Sequence, residues 1–290
     1  MRMKTYSLSI GAGLLVLVTG FVYAGSVQLL SGFGSAPSTA SLHQFNQLIT
    51  GDWQVYGQQF TNLQAFLFNR AFLLIITIVP TVFLLHYLTI GPKVFAHDGD
   101  QVYYFSLFTR IIHLIGAVSF SLLVITGLMI IFGKFFGGGT PVHTARLVHI
   151  ASAAILAVDV PIMFAIWFVD MLPRPYDLAW FLILGGYLSK KKKPVPAGKF
   201  NAGQKIWFWL CTLGSGGMMY TGYLLYTFQG PVDQLRLMVI IHNFLGMALV
   251  AFFLTHLYMS LFAIKGSIQS MITGYKPREE VEILHSRYKI

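Results

Sequence analysis

Charged residues and cysteines are both scarce in this chain. Only 10% of its 290 residues are charged, whereas 56% are hydrophobic. A typical soluble domain carries about 25% charged residues, so we predict a membrane protein with several spans. The single cysteine, Cys211, excludes an intrachain disulfide, a cluster ligated by several cysteines, and a CxxCH haem attachment. Any haem in this chain is therefore held non-covalently.

Six apolar stretches are long enough to span a bilayer, at about 8–28, 71–91, 105–132, 147–171, 205–228 and 237–262. With the N-terminus inside, sixteen of the twenty Lys and Arg residues fall on the inner side. This agrees with the positive-inside rule and predicts a multi-pass protein of the bacterial cytoplasmic (inner) membrane. The net charge of +10 therefore indicates contact with membrane lipid and no nucleic acid.

The fold class that we predict is an all-α integral membrane protein, with a four-helix transmembrane bundle and one or two extra N-terminal helices. Residues 1–30 are either a signal peptide or the first transmembrane helix, because a basic start precedes an apolar stretch. The other predicted segments are an outer (periplasmic) segment at 31–66, an extra helix and inner loop at 67–104, the four-helix core at 105–264 and a cytoplasmic tail at 265–290.

Four histidines in the predicted core suggest two haem sites. His242 and His256 are fourteen residues apart in one stretch, so on a helix they share a face and are separated by about 21 Å. His113 lies near the inner end of its helix and His149 near the outer end of the next. Matching depths pair His149 with His242 outside and His113 with His256 inside. Two imidazoles on one haem iron leave no position for oxygen, which predicts electron transfer.

An arginine precedes two of these histidines by three residues, as Arg110-x-x-His113 and Arg146-x-x-His149. Residues at this spacing share a helix face, so each arginine lies one turn nearer to water. A guanidinium there is suited to a haem propionate. For any one histidine alone, a hydrogen-bonded contact between helices is an equally good interpretation.

The remaining histidines give no such pattern. We predict that His86 is interfacial and that the others are solvated in loops or in the tail: His43, His97, His143 and His285. Asp159, close to Pro161 within the membrane, is predicted either to bond a carbonyl freed by the proline or to act in a proton path.

These motifs resemble the gamma, cytochrome b subunit of respiratory formate dehydrogenase over about 105–275. The resemblance rests on the two Arg-x-x-His motifs, on Lys-Phe-Asn-Ala-Gly-Gln-Lys at 199–205, on Ile241-His242-x-x-x-Gly246 and on His256-Leu-Tyr-Met. It implies two haems b, an iron–sulfur (beta) subunit as the electron donor on the outer side, and a molybdenum or tungsten catalytic (alpha) subunit attached through it. The first hundred residues depart from the family pattern.

The same resemblance implies that menaquinone is reduced near the inner haem, at a site lined by Asn201, Gly203 and Gln204. Amide groups and free helix N–H groups are suited to a quinone oxygen. From the residues alone, however, a helix N-cap by Asn201 is the preferred interpretation.

The expected function is thus that of the electron-transferring and quinone-reducing subunit of a formate:quinone oxidoreductase, with formate oxidation on another chain. One alternative is the cytochrome b subunit of a hydrogenase or of a thiosulfate or polysulfide reductase. Another is a haem-free transporter or membrane anchor.

Overall fold

The structure is a computed structural model that describes residues 56–96 and 99–290. Its elements in chain order are α1 (Gly57–Thr89), β1 (Gln101–Tyr103), α2 (Leu107–Ile131), α3 (Gly139–Trp167), α4 (Tyr176–Leu182), a 3-10 turn (Leu184–Gly186), α5 (Ala202–Thr227), α6 (Val232–Leu261), α7 (Gln269–Thr273), β2 (Tyr275–Pro277) and α8 (Arg278–Leu284). A π-helical turn, Leu63–Leu67, interrupts α1. The predicted first span, His43 and His97 lie outside the described residues.

Four of the described helices are long and apolar enough to cross a membrane: α1, α2, α3 and α6. Helix α5 is not among them, although its 26 residues rise about 39 Å. The prediction of an all-α membrane protein is confirmed, since the described strands have only three residues each.

Helices α2, α3, α5 and α6 form the four-helix core. Helix α2 packs against α3, α5 packs against α6, and α3 joins the two pairs through α5. The centre of the core consists of Phe120, Leu156, Val160, Leu249 and Phe253. Because lipid chains are as apolar as these side chains, close packing rather than removal from water stabilises their contacts.

Helix α1 lies outside this core, along α6. Phe68 meets Phe244 edge to face with ring centres 5.5 Å apart, and Phe83 stacks on Tyr258 at 4.4 Å. The extra helix is therefore held by aromatic contacts along much of its length.

We call one end of the bundle the basic end; it consists of residues 91–96, 99–106, 168–201 and 262–290. There β1 pairs antiparallel with β2, and the backbones of Lys93 and Lys265 are hydrogen-bonded at 2.9 Å. Buried aromatic residues, including Phe105 and Phe200, pack with Trp167 at the end of α3. This layer covers the ends of α2 and α6 that carry His113 and His256.

The end of the chain is folded into this layer rather than forming a free tail. Lys276 pairs with Glu280, and both side chains are buried. The prediction that His285 is solvated is wrong, because its side chain is 3% exposed and its Nδ1 donates to the Gly198 carbonyl at 2.8 Å. The sequence pattern missed this because the partner lies 87 residues away.

Two helices of the core begin at N-caps formed by nearby residues. The Ser106 hydroxyl accepts a hydrogen bond from the Thr109 N–H at 3.2 Å and caps α2. Asn201 and Gln204 form a reciprocal capping box at the start of α5, with both bonds at 2.9 Å. Each cap satisfies an N–H group that the helix itself leaves without an acceptor.

Candidate functional site

The structure brings the four histidines of the core together in two pairs. His113 of α2 lies beside His256 of α6 near the basic end, with ring centres 6.3 Å apart. His149 of α3 lies beside His242 of α6 towards the opposite end, with ring centres 6.4 Å apart. The pairs are those expected from depth along the helices, and we refer to them as the inner pair (His113, His256) and the outer pair (His149, His242).

The spacing within each pair fits two imidazoles that share one metal ion. An imidazole nitrogen lies about 2 Å from the metal and the ring centre about 1 Å farther, so two such rings on opposite sides have centres about 6 Å apart. Aromatic rings in direct contact have centres about 4.5–7 Å apart, so both pairs lie in the upper part of that range. The spacing is therefore compatible with a shared iron atom between the two rings of each pair.

Threonine hydroxyls orient the outer pair. Thr126 Oγ1 lies 2.9 Å from His149 Nδ1, and Thr221 Oγ1 lies 2.8 Å from His242 Nδ1. Each hydroxyl also donates to a carbonyl of its own helix, that of Leu122 for Thr126. Since the hydroxyl proton is used there, the histidine Nδ1–H must be the donor to the threonine oxygen. The Nε2 lone pair of both rings is then free to ligate a metal.

A glycine lies against each histidine of the outer pair. A Cβ at Gly127 would lie 3.5 Å from the His149 ring, and one at Gly222 would lie 3.4 Å from the His242 ring, which are ordinary contact distances. Each glycine directly follows the threonine that bonds the same histidine. The dipeptide Thr-Gly thus occurs in α2 and again in α5, facing a histidine of the next helix in both cases.

Indole rings surround the inner pair. Trp207 stacks on His256 with ring centres 5.4 Å apart and planes inclined by 20°. Trp167 lies 6.1 Å from His113. These rings restrict the orientation of the two imidazoles by packing.

The sequence of this bundle matches a known family. The profile of the family described as prokaryotic cytochrome b561 matches residues 104–274, more than half of the chain. The chain belongs to the prokaryotic cytochrome b561 family. Membership implies that this cytochrome binds haem b.

Curated relatives of this cytochrome are subunits of formate dehydrogenases. The cytochrome b556(Fdn) subunit of the nitrate-inducible formate dehydrogenase of Escherichia coli (strain K12) is 31% identical over 157 residues, which is 52% of this chain and 70% of that protein. The cytochrome b556(fdo) subunit of the same organism is 28% identical over 200 residues, which is 65% of this chain and 92% of that protein. The formate dehydrogenase cytochrome b556 subunit of Haemophilus influenzae is 27% identical over 177 residues, covering 57% and 73% of the two chains. The resemblance found from the motifs is confirmed.

The two arginines of this cytochrome differ in their surroundings. Arg110 donates through its guanidinium to the Ile272 carbonyl, and its buried Nε has no hydrogen-bond partner among the described residues. Arg146 is exposed, one turn from His149 towards the start of α3. A role at a haem propionate remains a prediction for both, and at Arg110 one side of the guanidinium is already bonded to Ile272 of α7.

The three residues expected at a quinone site lie together at the start of α5. The side-chain oxygens of Asn201 and Gln204 are both used in the capping box. Gly203 faces Trp180, whose ring would lie 3.0 Å from a Cβ at this position. The helix N-cap by Asn201, which was the preferred interpretation from the residues alone, is thus present. The lining of a quinone site by these three residues remains a prediction.

Asp159 does not make the hydrogen bond expected from the neighbouring proline. Both of its carboxyl oxygens are buried, and neither has a partner in the part of the chain that the structure describes. The side chain is turned towards α2 instead, where it fills the space left by Gly116. Pro161 therefore does not determine its position.

Three further residues of interest were missed in the sequence. Thr126 and Thr221 carry no charge and lie on a neighbouring helix, so periodicity along one helix does not reveal them. The Thr-Gly dipeptide does not single them out either, because it occurs at five places in the chain. Trp207 lies in an apolar stretch rich in aromatic residues, where nothing in the sequence distinguishes it.

Proposed function

We propose that this cytochrome is the membrane subunit of a formate dehydrogenase complex and passes electrons from an outer iron–sulfur subunit to menaquinone at the inner side. The observation that carries the proposal is the presence of two imidazole pairs, with ring centres 6.3 and 6.4 Å apart, at two levels of one bundle. The relatives named after formate dehydrogenase support the choice of complex.

Each pair would hold one haem b, His149 and His242 at the outer level, His113 and His256 at the inner level. Haem b held in this way supplies reversible one-electron chemistry without an open coordination position. The protein supplies the orientation: Thr126 and Thr221 fix the outer rings, and Trp207 packs on an inner one. A rigid surrounding of this kind suits electron transfer because little must rearrange when the charge changes.

Menaquinone reduction belongs, in this proposal, to the basic end. Asn201 lies at that end as the N-cap of α5, and Gly203 and Gln204 follow it in the first turn, close in sequence to Trp207, which contacts His256. If the basic end faces the cytoplasm, quinone reduction takes protons from inside while formate is oxidised outside. Turnover would then build a proton-motive force.

Substitution of the ligands tests the haem assignment. His256→Ala should remove one of two haems b per chain and abolish menaquinone reduction, since the inner level is the one beside the quinone site. His149→Ala should also remove one haem but leave the inner one in place. His143→Ala is a matched control, because His143 is an exposed histidine in the first turns of α3, and it should keep both haems. Haem is counted by the pyridine haemochrome spectrum, and two retained haems in His256→Ala would refute the assignment.

Co-purification tests the complex. Gentle solubilisation with an affinity tag on this chain should recover an iron–sulfur subunit and a molybdenum- or tungsten-containing subunit that oxidises formate. Recovery of a hydrogenase or of a sulfur-compound reductase would assign this subunit to one of those enzymes instead of to formate dehydrogenase. A preparation without iron and without a Soret band would contradict the haem assignment itself.

A further inference from the structure

One carboxyl group lies in the middle of the four-helix core. Asp159 of α3 is only 3% exposed. The facing helices α2, α5 and α6 contain no Asp, Glu, Lys or Arg at residues 111–131, 206–227 and 237–261. An ionisable group inside the membrane is costly and usually has a functional role. The proposed function gives Asp159 none.

The carboxyl group of Asp159 is not held by a structural partner. Both of its oxygens are buried, and neither has a hydrogen-bond partner in the part of the chain that the structure describes. Glu280, a buried carboxyl group at the basic end, is by contrast paired with Lys276. Buried polar atoms normally have a partner, so the oxygens of Asp159 indicate a place for a proton.

Two helices independently place this carboxyl group near the inner pair. On α2, a Cβ at Gly116 would lie 2.5 Å from Asp159 Oδ2, and Gly116 follows His113 by three residues, about 4.5 Å along the helix. On α3, Asp159 is ten residues from His149, about 15 Å of the roughly 21 Å between the two histidine levels. Both distances put Asp159 between the levels, about one turn from the inner pair.

The charge at the inner level depends on the redox state of a haem there. Titratable side chains on the facing helices near this level are His113 on α2, Cys211 on α5 and His256 on α6. As neutral haem ligands, the two histidines supply no positive charge. Oxidised haem iron carries one positive charge more than reduced iron, and apolar surroundings screen it weakly. The oxidised state therefore favours a carboxylate at Asp159, and the reduced state favours a protonated carboxyl group.

We propose that Asp159 takes up one proton when the inner haem accepts an electron and releases it when the electron moves on to the quinone. The inference rests on the proposed function, which supplies the inner haem and the electron. The electron arrives from the outer haem and converts Fe(III) to Fe(II), while a proton from water forms the O–H bond of the carboxyl group. On reoxidation this bond breaks and the proton returns to water. The net charge of this part of the bundle thus stays constant during electron transfer.

Redox titration of the purified complex between pH 5 and pH 8, followed by haem absorbance, tests this. One proton bound per electron lowers the midpoint potential by about 59 mV per pH unit, the equivalent of a tenfold change in proton concentration. Such a slope should occur in the inner haem of the wild type. In Asp159→Asn, which cannot titrate, the slope should disappear, and the midpoint potential at pH 8 should be higher than in the wild type because the carboxylate no longer stabilises the oxidised state.

Ser215→Ala is the matched control. The Ser215 hydroxyl is also buried in the core without a partner among the described residues, but it does not titrate in this pH range. This variant should keep the slope of the wild type. His256→Ala, which should retain only the outer haem, identifies the signal of that haem and should show no slope of this kind.

Infrared difference spectra between the reduced and oxidised states give a second readout. A protonated carboxyl group has a C=O band that a carboxylate lacks. Reduction should therefore add one such band in the wild type and in Ser215→Ala, but none in Asp159→Asn or in His256→Ala. Asp159→Glu keeps a carboxyl group and should show the band at a shifted frequency, which assigns it to this position even if the Asn variant does not fold.

Two results would overturn the proposal: a midpoint potential of the wild-type inner haem that does not change with pH, and a slope and band that persist in Asp159→Asn. Haem content is measured on the same samples by the pyridine haemochrome spectrum. If the wild type lacks a haem at the inner level, the proposed function itself fails. If both haems are present and neither slope nor band responds to the substitutions at Asp159, this inference alone fails.

Discussion

At the residue scale, one hydroxyl group determines which nitrogen of an outer histidine is available. Thr126 gives its own proton to a carbonyl of α2 and so must accept from His149; Thr221 does the same for His242 on α5. A histidine whose Nδ1–H is held in this way presents a fixed Nε2 to a metal. The outer pair is therefore arranged before any haem binds.

Thr126→Val and Thr221→Val should loosen the outer haem. Valine has the shape of threonine but cannot accept from Nδ1–H, and loss of such a partner lowers metal affinity by about 10- to 100-fold. The rate of haem transfer from the complex to excess apomyoglobin should rise for one haem of the two. Thr212→Val is the control, because Thr212 bonds a carbonyl of α5 but no histidine. Equal loss of haem from all three variants would contradict an orienting role.

His285 makes the folded end of the chain sensitive to acid. Burial, together with the nearby Lys276 charge, lowers the pKa of His285 from 6.5 to about 3. Between these two values the unfolded chain binds a proton that the folded chain does not, so the free energy of unfolding falls as the pH decreases from about 6.5 towards 3. The slope is at most about 1.4 kcal/mol per pH unit.

Hydrogen exchange of residues 278–288 measures this effect. Protection should decrease from pH 7 to pH 5 in the wild type, after correction for the intrinsic exchange rate. Asn can still donate to the Gly198 carbonyl but does not titrate, so in His285→Asn the change with pH should largely disappear. A change of the same size in that variant would assign the sensitivity to another group.

At the scale of elements, one histidine adds hydrogen bonds to the aromatic contacts between the extra helix α1 and the core. His86 Nε2 lies 2.9 Å from the Tyr187 carbonyl, which can only accept, so this nitrogen carries the proton. Nδ1 of the same ring is then the acceptor for the Tyr258 hydroxyl at 2.5 Å. A single side chain of α1 thus connects both α6 and the basic end.

Removal of this connection should loosen α1 without affecting the haems. A double-mutant cycle with His86→Leu and Tyr258→Phe should give a coupling free energy of about 1 kcal/mol, within the range measured for hydrogen bonds between membrane helices. Limited proteolysis in detergent should show faster cleavage near residues 90–100. Thr89→Val is the control, because Thr89 bonds only carbonyls of its own helix. A coupling near zero would mean that the aromatic contacts alone hold α1.

Different features of the elements were predictable to different degrees. The helices and the depths of their histidines follow from apolar length and the helical repeat. The sequence alone therefore predicts which histidines lie side by side in each pair. The packing of Trp180 beside Gly203 and the folded end around His285 depend on contacts between distant segments, which periodicity does not encode. Asn201 shows an intermediate case: its cap was predictable from local sequence, whereas the packing of α4 beside it was not.

At the scale of the whole molecule, charge distinguishes the two ends of the bundle. The basic end includes the run Lys190–Lys193, whereas the turn between α2 and α3 has Lys134 alone and the turn between α5 and α6, at 228–231, has no charge. The positive-inside rule predicts that the basic end faces the cytoplasm. In the proposed function, this sidedness decides whether quinone reduction at that end would conserve energy, because only protons taken from inside add to the membrane potential.

Cysteine labelling in intact cells tests this sidedness. Phe135 and Leu188 are exposed residues at opposite ends, 86% and 62% accessible, and each can be replaced by cysteine in a Cys211→Ser background. A membrane-impermeant maleimide should label Phe135→Cys from outside the inner membrane, and Leu188→Cys only after permeabilisation. The background protein without added cysteine should remain unlabelled under both conditions. If the two sites label in the reverse order, the basic end faces the periplasm. Quinone reduction there would take up protons from the periplasm, and turnover would then not build a proton-motive force.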